Sequence, residues 1–121
     1  MNDDTLLLRQ VHPSFVHDGR VTSQAFTPTP KDAKKLSVYD GDRFTPEESW
    51  RHFTGEGFSS AGVVAVSVRE CAAIELQVRS TPEVFEGHVE IDFTGITEGS
   101  LKGKAKLLRV RATERGWLYR V

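Results

Sequence analysis

The residues best equipped for chemistry gather in "RQVHPSFVHDGR", where Arg9, His12, His17 and Arg20 fall close together. Histidine exchanges a proton near neutral pH, and arginine holds a phosphate or carboxylate through a planar fork. The pair of types suits an anionic ligand or transfer at a phosphate ester. A second group is His88, Glu90 and Asp92, which alternate along "HVEIDFT" and so share one face of an extended segment. Side chains at i and i+2 start about 6.6 Å apart, a spacing that two ligands of one divalent ion tolerate. The simpler reading of that face is a solvated one, and no metal is expected. His88 follows a glycine at the segment's entrance, where functional side chains gather. His12 and His88 are thus the expected acid–base pair, with Arg9 and Arg20 as charge-binding groups. That pairing requires the first strand and the 88–94 strand to run side by side.

The third candidate is the basic tail. From Leu101 to Val121 there are seven basic residues and one acid, whereas the remainder holds nine basic and sixteen acidic residues. Lys102, Lys106 and Arg109 flank one side of the tail's apolar stripe; Lys104, Arg111 and Arg115 flank the other. Such a helix meets either a phosphate backbone or the acidic body of its own domain. Trp50, Trp117 and Tyr119 offer stacking surfaces for bases, but a pI of about 6.4 is low for a dedicated nucleic-acid binder.

Other motifs fall away. "FTGEGFSSAG" has glycines at the wrong spacing for a phosphate loop and lacks the lysine; the serines lack a nucleophile elbow; "DGD" lacks an EF-hand's ligand spacing. Cys71 is the only cysteine, which rules out an internal disulfide. A helix start beside it favours its thiolate, while burial would leave it inert.

The elements that must hold these groups are partly legible. "TLLLRQV" reads as a strand closed by Pro13, "HDGR" as a turn, "VTSQAF" as β-prone, "TPTPKDAKK" as loop and "LSVY" as a short strand. "TPEESWRHFTGEG" carries a capping box at Thr45 and Glu48 with Pro46 in the first turn, so a helix is expected near 46–54, closed by Gly55. "GVVAV" is a continuous apolar run, as in a central strand covered on both faces. Ser67 and Glu70 repeat the capping spacing, giving a short helix near 68–73. Leu101, Ala105, Leu108 and Ala112 form a helical stripe near 100–115, and "WLYRV" a terminal strand or docked tail.

The chain has 121 residues, 38% of them hydrophobic and 27% charged, which fits one globular domain over 1–121. The expected class is α+β, with a mixed or mostly antiparallel sheet. No apolar run is long enough to span a bilayer and no basic leader precedes Leu6, so a soluble cytoplasmic protein without membrane contact is expected. No cofactor is implied. The leading expectation is a small recognition domain of prokaryotic type that binds an anionic ligand: a nucleotide, an RNA or an acidic protein partner. Arg9, Arg20, Lys102, Lys106 and Arg109 would bind it. The alternatives are a phosphate-ester or nucleotide-directed enzyme using His12 and His88, and a structural or regulatory subunit of a larger assembly.

Overall fold

Six residues from Gly62 to Ser67 are all buried, and this strand lies inside the sheet that organises the molecule. The computed structural model describes residues 1–121. The strands are β1 (Leu6–Val11), β2 (Val16–His17), β3 (Arg20–Val21), β4 (Lys35–Asp40), β5 (Gly62–Ser67), β6 (Gln77–Ser80), β7 (His88–Asp92) and β8 (Tyr119–Arg120). The helices are α1 (Pro46–Gly55), α2 (Val68–Ala73) and α3 (Glu98–Arg115). Six strands form one sheet in the order β6-β7-β4-β1-β5-β8, and every neighbouring pair is antiparallel. β2 and β3 make a separate hairpin. The fold is α+β, with the C-terminal helix in place.

Alternation divides the apolar residues between two faces. Leu7, Val11, Leu36, Val38, Val64, Val66, Val89 and Ile91 point to one face, where Leu101, Ala105, Leu108 and Ala112 of α3 cover them. Phe26, Cys71, Leu76 and Phe93 complete that core. Leu8, Tyr39, Val63 and Ala65 point to the other face, against Trp50 and Phe53 of α1 and against Phe44, Phe85 and Leu118. Both capping boxes form: Thr45 with Glu48 opens α1, and Ser67 with Glu70 opens α2. α1 ends differently from expectation. Its cap is Glu56, and Gly57 rather than Gly55 takes the left-handed backbone.

The β-prone segment "VTSQAF" is strand only at Val21; Ser23–Phe26 curls into a 3-10 turn. The reason is packing, because the curl turns Ala25 and Phe26 into the core under α3. Asp18 and Gly19 both have positive φ, the backbone of a two-residue hairpin turn, so "HDGR" joins β2 to β3 as a tight hairpin. Cys71 is buried in the α3 core, and burial pushes its thiol up to about 12, which outweighs the short helix start beside it.

Three of the tail's seven cations are spent on the body. Arg115 forks onto Glu70 at 3.0 and 3.2 Å, Arg109 donates to the Val21 carbonyl, and Lys104 donates to the Ile74 carbonyl. Lys102 and Lys106 remain exposed. No helix is long and apolar enough to cross a membrane.

Candidate functional site

The second sheet face is only half roofed. α1 packs over β1, β5 and β8, and a buried amide fixes it there: Gln10 Nε2 donates to Ser49 Oγ while Gln10 Oε1 accepts from Ser60 Oγ. On the β4 side of that face Tyr39 is met by Phe44, by His52 at the end of α1 and by Phe85 of the 81–87 loop. Between α1 and this loop opens a cavity of about 610 Å³. That volume lies within the range of small-ligand sites.

Tyr39, His52, Phe53, Phe58, Phe85 and His88 give the cavity an aromatic wall. The rings contact one another directly. His52 and Phe85 have centroids 4.5 Å apart, Phe85 and His88 4.9 Å, and Phe53 stacks on Phe58 at 5.0 Å. Of the lining residues, Phe58 is 60% exposed and Val84 58%. Such large apolar side chains left exposed in a cavity are the surface a planar ligand would cover. The Tyr39 hydroxyl and His52 Nδ1 are hydrogen-bonded at 2.8 Å. Burial first, then the negative charge of Glu56, pushes the phenol up to about 12, so it stays protonated at neutral pH.

Arg9 and Lys35 bring positive charge to the same cavity, with Asp32 and Glu56 of opposite sign. The placement of Arg9 follows from a gap in the sheet. β1 and β4 are paired only at Leu7–Asp40 and Leu8–Tyr39, although both strands run further. Where the ladder stops, Arg9 Nε donates to the Ala25 carbonyl at 2.7 Å and Nη1 to the Ser37 carbonyl at 2.9 Å. Its Nη2 makes no hydrogen bond within the chain. Burial lowers the guanidinium to about 10 and Asp32 works against that shift, so the group is still charged near neutrality.

His88 lines the cavity through its ring and is otherwise buried, with Nδ1 bonded to Thr81 Oγ1 at 2.6 Å. Burial holds its pKa below the ordinary 6.5, against the opposite pull of Glu90 and Glu83. The folded state therefore favours neutral imidazole. Stability is fully present above pH 6.5 and declines as acid protonates the unfolded chain first. Urea midpoints should be level between about pH 7 and 8 and fall towards pH 5, and His88→Gln should flatten that fall. An unaltered acid limb in the variant would assign the loss to other groups.

The fold does not bring His12 to His88. β4 lies between β1 and β7, so the expectation that these two run side by side is corrected. The register places Leu8, Tyr39 and His88 in one row across the sheet. His12 lies four residues beyond Leu8 and two strand spacings away, roughly 16 Å from His88. The strand order explains this, because the 35–40 segment pairs on both its edges. His12 instead caps the 3-10 turn at Pro13–Phe15, its Nδ1 accepting from the Ser14 amide at 3.0 Å. Arg20 is exposed on the β2–β3 hairpin, and Lys102, Lys106 and Arg109 belong to α3, none of them at the cavity. Of the residues singled out in the sequence, the cavity gathers Arg9 and His88. His88, Glu90 and Asp92 do not converge: Asp92 faces Arg79 at 3.6 Å, and no cluster of His, Cys, Asp or Glu is placed to hold a metal ion.

Tyr39, His52, Glu56, Phe58 and Phe85 escape sequence reading because three separate segments supply them. The one local hint is the i, i+4 spacing of His52 and Glu56, which sets both on one face at the end of α1.

What the fold and cavity define is an α+β domain with an aromatic-walled pocket on a half-covered antiparallel sheet. Compared with models of known families, with curated proteins and with solved structures, the chain matches none.

Proposed function

We propose that the protein is a recognition domain for a small anionic ligand carrying a planar ring, such as a nucleotide, bound in the cavity beside β4. One observation carries the reading: Arg9 is held by two backbone carbonyls with Nη2 unengaged, in the same cavity as a wall of six aromatic rings. An arginine fixed in this way loses little side-chain freedom when it meets an anion, and an anchored fork is worth more than a mobile one. Lys35 adds charge, while Asp32 limits how much anionic charge the site would accept. The aromatic wall would take the ring by stacking.

A titration with nucleoside monophosphates, followed by backbone amide shifts, tests this. Shifts are expected at Arg9, Ser37, Phe58 and Phe85, with inorganic phosphate binding more weakly than the nucleotides. Phe58→Ala should weaken nucleotide binding about tenfold, a typical worth of one stacking ring, without loss of stability because the side chain is exposed. Shifts confined to Lys102, Lys106 and Arg109 would move the site to α3 and end the cavity reading.

A further inference from the structure

The end of α1 presents more than an aromatic surface. His52 and Glu56 are four residues apart there, both line the cavity, and Glu56 N donates to the His52 carbonyl, so the last turn is helical in its spacing. The Glu56 carboxylate has no hydrogen bond or ion pair within the chain. Glu75 beside α2 and Glu98 of α3 are likewise unengaged, but Glu56 is the glutamate that lines this cavity. His52 Nδ1 is occupied by the Tyr39 hydroxyl. In the tautomer in which the Tyr39 hydroxyl donates to Nδ1, the ring carries its proton on Nε2, which has no partner within the chain. In that tautomer the two side chains, four residues apart, bring one N–H donor and two carboxylate acceptors to the same cavity as the aromatic wall.

We infer that His52 and Glu56 read the edge of the bound ring and select guanine among purine nucleotides. Guanine presents an acceptor, O6, beside two adjacent donors, N1–H and the 2-amino group. His52 Nε2–H meets the first, and the Glu56 carboxylate accepts from the other two as a bidentate pair. Adenine reverses the pattern at two positions: its amino donor faces the His52 N–H, and its N1 lone pair faces a carboxylate oxygen. The aromatic wall stacks either ring, so discrimination falls to these two residues. The inference rests on the cavity reading and is separable from it.

Calorimetric titration of the full chain with GMP, IMP and AMP provides the test. GMP is expected to bind at least about tenfold more tightly than AMP, a modest value for a bidentate base contact, with IMP between because it lacks the 2-amino group. Glu56→Gln should weaken GMP and, by removing the carboxylate that faces adenine N1, strengthen AMP, so that the preference for GMP is lost; Glu56 is exposed at the helix end, so folding should be intact. If GMP and AMP bind in the cavity within twofold of each other, or if Glu56→Gln preserves the preference, the edge reading is overturned while the cavity stands. If no nucleotide binds at millimolar concentration, both readings fail.

Discussion

Replacing Phe26 with alanine is expected to remove about 3–5 kcal/mol of stability, a large fraction of what a domain of this size possesses. Phe26 is fully buried and among the largest side chains with no exposure. It belongs to the core that α3 closes, and it reaches that core only because residues 23–26 curl out of an extended path. Truncation leaves a void bordered by elements that are pinned elsewhere: α3 by Arg109 to the Val21 carbonyl and Arg115 to Glu70, the turn by Arg9 to the Ala25 carbonyl. Such a site collapses poorly, which puts the cost at the upper part of the range. Urea unfolding monitored by tryptophan fluorescence gives the number, with Phe58→Ala as the exposed-ring control. A loss below about 1 kcal/mol at an unchanged denaturant slope would mean that α3 does not depend on this turn.

The contrast between Phe26 and the helices shows which parts of the fold were legible. α1 and α2 are specified within a few residues, by Thr45 with Glu48 and by Ser67 with Glu70, and both caps form as their spacing predicts. The apolar run of β5 and the stripe of α3 depend on burial pattern alone, and each finds the cover it requires. Phe26 is a different case. Its segment is β-prone locally, yet tertiary packing overrides that weak preference. Strand order is further from the sequence still, since nothing in residues 6–11 or 88–92 says that 35–40 will insert between them. The candidate site inherits that difficulty. Arg9 and His88 are recognisable by type, but their meeting with Tyr39, His52, Phe58 and Phe85 depends on which half of a sheet face α1 covers.

The charge pattern illustrates the same division. A basic tail on an acidic body reads equally well as a binding face or as an internal clamp. The structure assigns Arg109, Lys104 and Arg115 to the clamp, since each donates to a group of the body. Two lysines of α3 on the expected binding side, Lys102 and Lys106, stay in solvent, which is little for a phosphate backbone that typically engages several cations. The cavity's anchored guanidinium is the better-organised charge, although its count is smaller.

Arg9→Met is the sharpest test of that organisation, because it strikes fold and site through one side chain. The methionine keeps the length of the stem but leaves the Ala25 and Ser37 carbonyls without their donors where the β1–β4 ladder has ended. Two charge-assisted bonds are lost; since the Ser37 contact is near solvent, water replaces part of it, and the expected loss is about 2–3 kcal/mol. Hydrogen exchange should quicken first at β4 and the 23–26 turn, leaving the β1–β5 ladder protected, since its six paired positions do not involve the Arg9 side chain. Anion binding should disappear with the guanidinium. Arg9→Lys separates the two roles: it retains charge but cannot reach both carbonyls while leaving a donor free, so it should recover part of the stability and little of the binding. An Arg9→Met protein as stable as the parent would show that the gap between β1 and β4 closes without the guanidinium, and the cavity would lose the one cation whose position the backbone dictates.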